Sequence, residues 1–250
     1  NKKSVKSFDR DDLMKYVNRL FTSSNGVLSF VGDLSLNKVI KITEKYFNKF
    51  PSHTSDIKTN LFNKYQPFNI IRKEANYQNH LVIGGIAPGY NDKDRIGIAL
   101  LINILGGPAL NSRLVLSIRE KYGYAYNIEA NYTPYLDIGF WTIYVGCDKK
   151  FLKKTNDIIN KELIKICQTE LSTAQLKNAK IQMKGHIALN MDSNSGMMLG
   201  LGKSLLIFNR IDSINQIHEQ IDQIKSDELI LVANKYLHPD KCSSLIFDLK

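Results

Sequence analysis

The sequence has 250 residues, 43% of them hydrophobic, which is enough to bury a sizeable core and excludes a disordered chain. The formal net charge is +10 at pH 7. The longest apolar run, 96–105, is interrupted by Asn103 and ends at Gly106, so it is too short to span a bilayer and predicts a buried helix. We therefore expect no membrane insertion.

The basic residues are mostly lysines spread along predicted helices, without an arginine-rich tract. This pattern favours a solvated basic surface over a nucleic-acid groove, so we expect no nucleic-acid partner. The cysteines are odd in number, widely spaced and without a nearby histidine, which predicts neither a disulfide scaffold nor a zinc site. They are Cys147, Cys167 and Cys242. The sequence begins without Met and shows no leader, so it predicts no compartment.

The first sixty residues predict a helix, a strand and a second helix. Ser7 or Asp9 caps the first helix, 27–31 reads as a short buried strand, and Ser35 or Asn37 begins the second helix. The apolar stripe of the first helix comprises Leu13, Tyr16, Val17, Leu20 and Phe21. The polar, unpatterned stretch that follows predicts a linker at 56–66 and a domain boundary there.

The middle of the chain predicts two strands and a helix that lead into a helix, a turn and a hairpin. The segments are strands 68–73 and 80–87, a helix at 95–105, a short helix at 110–119, and strands 124–130 and 140–145. Gly123 supplies the stop between the short helix and the hairpin. We call residues 106–147 the elbow. The rest predicts helices at 148–169, 172–190, 195–209, 213–224 and 226–237, and a final strand at 244–247.

Arg119 and Tyr126 stand seven residues apart across the elbow. A guanidinium and a phenol projecting from one edge can hold a peptide carbonyl, because both donate to an oxygen that gains negative charge. Residue types alone leave a second interpretation open. The helix dipole favours an arginine at a helix C-terminus, and a strand tyrosine is often half-buried packing.

The end of the chain resembles its beginning at an offset of 216 residues. Aligning Leu13 with Leu229 brings Asn18 onto Asn234, and each segment is a capped helix, a turn and a terminal strand. The spacing suits a whole domain and suggests tandem related domains. On this basis 1–55 is the tail of a first domain and 67–250 is a second domain.

Short motifs of the elbow together resemble the second-domain signature of the pitrilysin/insulinase-type (inverzincin) zinc metallopeptidases, which include the mitochondrial processing peptidases. They are Asn111-Ser-Arg-Leu114, Ile118-Arg-Glu-Lys121, Gly123, Ala125-Tyr126 and Gly139-Phe140. The resemblance implies an α+β domain with a mostly antiparallel sheet covered by helices, present twice around a peptide chamber. It implies that Arg119 and Tyr126 grip the substrate and stabilise its carbonyl oxygen. The family's zinc lies on His-x-x-Glu-His in the first domain.

Neither His-x-x-Glu-His nor the reversed motif His-Glu-x-x-His occurs in this sequence. The five histidines, His53, His80, His186, His218 and His238, suit surface or turn positions better than ligand positions. We therefore expect this chain alone to be inactive, with Zn²⁺ held by an upstream domain or a partner subunit. The expected partners are a peptide substrate and that zinc-bearing half, with a dimer in the full-length form. The alternative is a non-catalytic scaffold subunit of the same family.

Overall fold

The computed structural model describes residues 2–52, 62–74 and 77–249. The chain forms two compact units, one of Asn1–Asn60 with Ala188–Ser213 and the other of Leu61–Ile187 with Ile214–Lys250. The predicted linker at 56–66 falls largely outside the described residues. The division into a first-domain tail and a second domain stays a prediction.

Nine α-helices and five strands are described. The helices are α1 (Lys2–Ser7), α2 (Arg10–Leu20), α3 (Leu36–Phe47), α4 (Arg95–Gly106), α5 (Leu152–Gln168), α6 (Thr173–Asp192), α7 (Asn194–Phe208), α8 (Ile214–Asp222) and α9 (Ser226–Tyr236). The strands are β1 (Asn69–Glu74), β2 (Asn79–Ala87), β3 (Ala125–Pro134), β4 (Gly139–Cys147) and β5 (Ser243–Leu249). Except for α1, which the sequence did not predict, these helices and strands lie where the sequence predicts them, with shifted ends.

The helix starts follow local chemistry. The Asp9 carboxylate accepts the Asp12 N–H at 2.8 Å, which satisfies one of the free donors in the first turn of α2. The Ser193 hydroxyl accepts the Gly196 N–H at 2.9 Å and so caps α7. Asn209, with φ of 50°, ends α7 in the left-handed conformation that asparagine tolerates.

The five described strands lie in the larger unit and form one sheet with the order β1-β5-β2-β4-β3. Only the β1–β5 pair is parallel, and the other three pairs are antiparallel. Helices α4, α5 and α9 pack on the sheet and on one another. Alternate residues of the central strands face these helices and are buried, including Leu81 and Ile83 of β2 and Trp141 of β4. The α+β prediction with a mostly antiparallel sheet is confirmed.

The prediction of a strand at 27–31 is wrong, because the structure assigns no strand there. A strand needs a hydrogen-bonded neighbour, and no other strand is assigned in the described part of the smaller unit. That unit also buries very little: α2, α3 and α7 contain no buried residue, and Thr22 is the only buried residue recorded for the described part of the unit. The described part of the smaller unit therefore has no core of its own.

Candidate functional site at the elbow

Arg119 lies in a π-helical turn, Val115–Glu120, where the sequence predicts an ordinary α-helix. The Lys121 N–H donates to the carbonyl of Leu116, five residues back, at 3.1 Å. The wider turn keeps Val115 and Ile118 in the core, while Arg119 is exposed beside Glu120, with 3.4 Å between its Nε and Oε1 of that carboxylate. Single π-turns often occur at functional sites.

Gly123 ends this turn with a φ of 62°. Its N–H donates to the Arg119 carbonyl at 2.9 Å, and the Tyr124 N–H donates to the Ile118 carbonyl at 3.1 Å. These bonds satisfy carbonyls that a helix end leaves free. The left-handed backbone conformation suits glycine, because glycine has no Cβ. Gly123 therefore sets the angle between the π-turn and β3.

Tyr126 is an extra residue in the β3–β4 ladder. Ala125 pairs with Cys147 and Asn127 with Gly146, so two steps along β3 match one step along β4. This β-bulge puts Tyr126 and Asn127 both on exposed positions between the buried residues Ala125 and Ile128. The side chain of Tyr126 is 86% exposed, so it is not the packing residue of the alternative interpretation.

The two predicted site residues thus share one elbow but make no recorded contact with each other. Within the described residues, no hydrogen bond, ion pair or ring contact joins Arg119 to Tyr126. Each stands on an irregular piece of backbone, and each has an exposed polar end. Such an arrangement leaves both groups available to a third molecule.

A stack of aromatic rings fixes the elbow to the start of α5. The rings of Tyr122 and Tyr124 lie 5.1 Å apart, and those of Tyr124 and Phe151 lie 4.5 Å apart. Three lysine ammonium groups lie over these rings at 4.8–5.8 Å, contributed by Lys121, Lys150 and Lys154. The surface beside Arg119 is therefore cationic as well as aromatic, and it favours anionic or partly negative ligand groups.

A second tie holds the first part of the elbow. Arg113 lies within 4.0 Å of Glu162 on α5, and both side chains are mostly buried. Ser117 donates to the Arg113 carbonyl at 2.7 Å, so the turn before Arg119 is also held by a side chain. These contacts restrain the backbone that carries Arg119.

A polar row on the open face of the sheet adjoins the bulge and was missed by sequence reasoning. Asn127 of β3 pairs with Gly146 of β4, and Gly146 in turn pairs with His80 of β2. Glu129 of β3 pairs with Tyr144 of β4. His80 Nδ1 lies 2.8 Å from the Tyr144 hydroxyl oxygen. The only sequence signal was alternation along β3 and β4, because the pairing of His80 with Tyr144 depends on strand order.

The described histidines do not come together. His80 lies in β2, His186 in α6 and His218 in α8, and only His238 lies in a turn, 3.5 Å from Asp240. His80, His186 and His218 are partly exposed within regular elements, so none of them is a core residue. His53 lies outside the described residues. Across the described ranges, no group of three or more His, Cys, Asp or Glu residues could hold a metal ion.

An apolar groove of 410 Å³ opens at the other end of the hairpin, lined by residues such as Tyr65, Val82, Phe140 and Leu245. Trp141 is one of the residues that line the groove, and strand spacing puts it roughly 17 Å along β4 from Gly146, which lies next to the bulge. The groove is therefore separate from the elbow.

Among the described residues, none of the helices combines the length and apolar character that a membrane crossing requires.

Comparison with known proteins bears on this site. Residues 7–183 match the family model described as the peptidase M16 inactive domain. An uncharacterized zinc protease of Bacillus subtilis, YmxG, is 28% identical over 247 residues, which are 97% of this chain and 59% of that protein. The beta subunit of the mitochondrial-processing peptidase of Bos taurus is 22% identical over 244 residues, 94% of this chain and 50% of that subunit.

The fold has solved counterparts as well. A crystal structure of a peptidase M16 inactive domain from Pseudomonas fluorescens superposes with a TM-score of 0.86 at 18% identity, covering 99% of this chain and 60% of that one. Fold, elbow motifs and family model define one class of protein, the zinc metallopeptidases of the pitrilysin/insulinase type. The chain belongs to the peptidase M16 family and corresponds to its C-terminal portion, without the zinc motif. It spans between half and three fifths of the length of these relatives.

Proposed function

We propose that this chain is the substrate-gripping part of a zinc-dependent metalloendopeptidase that acts on extended peptides. Residues 1–55 are the tail of a first domain and 67–250 are a second domain. The zinc site belongs to that first domain or to a partner subunit, and the complete protein is a dimer. The observation that carries the proposal is the exposure of Arg119 and Tyr126 on one elbow, each on an irregular turn.

The described residues do not fit a zinc site, since they contain no cluster of suitable ligands. The task of this chain is therefore binding and orientation. A peptidase must stabilise the negative charge that develops on the carbonyl oxygen under attack, and a positioned hydroxyl donor does this well in a site that excludes water. Tyr126 is our candidate for that donor, because its hydroxyl is exposed and bound to no described residue.

Arg119 holds the substrate in our proposal. Its guanidinium donates to a backbone carbonyl or a carboxylate of the peptide, which a fixed charge with several donors does with directional specificity. The bond to Glu120 leaves donors free, because an arginine carries five N–H groups. The neighbouring lysines of the elbow add a favourable field for a negatively charged group.

The position of Tyr126 on β3 suggests how an extended peptide lies. In the described sheet, β3 is an edge strand, so one side of its backbone is open to pairing. A peptide that adds to this edge binds mainly through its own backbone, which predicts broad side-chain specificity.

The test is peptidase activity of the complete gene product with zinc, measured on a library of quenched fluorescent peptides. Tyr126→Phe is expected to lower kcat by about a hundredfold. Arg119→Gln is expected to lower kcat/KM by roughly tenfold to a hundredfold, as for other hydrogen bonds to a charged group. Tyr122→Phe is the matched control on the same elbow and is expected to stay within about threefold of the wild type.

Activity in the complete product, its absence from the 250-residue chain alone, and loss only in the two site variants would support the proposal. A complete product that is silent alone, and whose activity with a zinc-bearing second subunit neither site substitution changes, would favour the scaffold alternative. Activity that both site variants leave unchanged would contradict the assigned roles of Arg119 and Tyr126.

A further inference from the structure

The structure contains one short motif twice. Helix α2, Arg10–Leu20, is followed by a 3₁₀ turn at Ser23–Asn25, and α9, Ser226–Tyr236, is followed by one at Pro239–Lys241. Every one of these boundaries is displaced by 216 residues, which agrees with the helix and the turn of the repeat seen in the sequence, whereas a strand follows only the second copy. Both helices also begin with the same bond, in which the N–H of the capping residue donates to a carboxylate three residues on, at 3.4 Å and 3.3 Å.

The two copies differ in what covers them. The apolar face of α9 and its last turn is buried in the core of the larger unit, through Leu229, Val232, Ala233, Tyr236 and Leu237. The residues at the same places in the first copy are also apolar, and they are Leu13, Tyr16, Val17, Leu20 and Phe21. Leu13 is 57% exposed, whereas Leu229 is 2% exposed. The first copy therefore presents, largely uncovered, the face that the second copy buries.

In the second copy, α4 is one of the helices that cover this face. Gly97 of α4 lies against Leu229 and Val232, and a Cβ built on it would be 3.4 Å from the Val232 side chain. Lys235 Nζ contacts Asp94, at the start of α4, at 2.6 Å. Hydrogen bonding to Asp94 raises the pKa of Lys235 above its usual range. An ion pair thus fixes the end of α9 beside the start of α4.

The concavities beside the two helices correspond residue for residue. The one beside α2 has a volume of 460 Å³ and is lined by Phe8, Asp12, Leu13, Lys15, Tyr16 and Arg19. Each of these residues has its counterpart, 216 residues on, in the lining of the 630 Å³ concavity beside α9. The second concavity has a further wall from the start of α4, including Asp94 and Gly97. The first concavity is the same groove without that wall.

We propose that α2 is the docking face for a helix that is the counterpart of α4 in the first domain, and that Arg19 pairs with an acidic residue at the start of that helix. Arg19 occupies the place of Lys235, so the charge that meets it should be the counterpart of Asp94. The partner is therefore an apolar helix with a small residue where it crosses Leu13 and Tyr16 and an acidic N-terminal turn. This inference rests on the proposed domain division and is independent of the roles of Arg119 and Tyr126.

Hydrogen exchange tests the interface without using activity. It is measured on the assembled protein, meaning the complete gene product with any subunit that copurifies with it, and on the 250-residue chain alone. The amides of α2 are expected to exchange about as slowly as those of α9 in the assembled protein and at least tenfold faster in the chain alone. Arg19→Glu should speed exchange in α2 of the assembled protein roughly tenfold, because an attraction becomes a repulsion.

Asp11→Lys is the matched control. It reverses a charge on the same helix at an exposed position outside the concavity, and its counterpart Asp227 is also exposed, so we expect a change within about threefold. A lysine in place of the acidic residue aligned with Asp94 should restore slow exchange in the Arg19→Glu protein. Equal exchange of α2 in both preparations, or equal effects of the two charge reversals, would overturn the inference. Harmless substitutions at Arg119 and Tyr126 would leave it intact.

Discussion

The indole N–H of Trp141 donates to the backbone carbonyl of Tyr236 at 2.9 Å, and this bond ties the centre of β4 to the end of α9. The Trp141 side chain is fully buried. The contact joins residues far apart in sequence, and it fixes the hairpin of the elbow against the helices that pack on the sheet.

Replacing Trp141 with Phe should destabilise the fold by about 2–4 kcal/mol, because it leaves the Tyr236 carbonyl without its donor and opens a cavity. Urea unfolding followed by circular dichroism measures the change. Phe140→Leu is the control on the adjacent, partly exposed position, and it should cost less than about 1 kcal/mol. Equal losses in the two variants would show that the buried bond and volume of Trp141 contribute little.

Gly123 and Gly185 form a matched pair, since a Cβ built on either meets nothing within 4 Å. They differ in backbone, because Gly123 has a φ of 62° whereas Gly185 lies inside α6. Gly123→Ala should therefore destabilise by about 1–2 kcal/mol, and Gly185→Ala should stabilise by up to about 1 kcal/mol. Denaturant midpoints of the two variants check the opposite signs. A neutral Gly123→Ala would mean that the elbow does not need the left-handed turn.

Burial raises the pKa of the Cys167 thiol to about 11 and that of Cys242 to about 12, from an ordinary value of 9.0. Between pH 9 and pH 11 the unfolded chain releases these protons while the folded chain retains them. The thiols therefore stabilise the fold fully below about pH 9, and this stabilisation falls as pH rises toward their folded pKa values. Urea midpoints from pH 7.5 to pH 10.5 should decline less steeply in a Cys167→Ser, Cys242→Ser variant than in the wild type.

Thiol labelling gives an independent check of the same shifts. At pH 8 the thiolate fraction of Cys167 should be about a hundredfold lower in the folded than in the unfolded protein, which slows alkylation by a similar factor. Rapid labelling of Cys167 in the folded protein would contradict the burial of this residue.

Local signals predicted most of the described helices and strands. Helix α2 begins after Asp9 because the cap and the apolar period agree, and β2 and β4 follow from short apolar runs between turn residues. The strand at 27–31 failed for the opposite reason. Its sequence suits a strand, but a strand also needs neighbours, and the described part of the smaller unit supplies none.

The residues of the candidate site come from a sequence motif, whereas the backbone geometry that carries them does not. Arg119 and Tyr126 stood out through their motif. The pattern of apolar residues, however, reveals neither the π-turn nor the bulge. Val115 and Ile118 fit an α-helix as well as a π-turn, and the shift between Ala125 and Asn127 appears only when β3 pairs with β4. The contact of His80 with Tyr144 likewise depends on strand order.

Tyr126→Phe also separates function from stability. Because the hydroxyl is exposed and bonded to no described group, its removal should change the free energy of unfolding by less than about 0.5 kcal/mol. Thermal unfolding of the variant beside the wild type checks this. A large loss of stability would mean that the hydroxyl serves the fold, and the loss of turnover would then need another explanation.

The most direct test of the account is a double-mutant cycle on kcat/KM of the complete gene product, using Arg119→Gln, Tyr126→Phe and the combination. If both side chains act on one bound peptide, each single change should be harmful, and the double variant should lose clearly less than the product of the two single losses. The expected coupling is about 1 kcal/mol or more. Losses that multiply, or single variants as active as the wild type, would contradict a joint grip on the substrate by Arg119 and Tyr126.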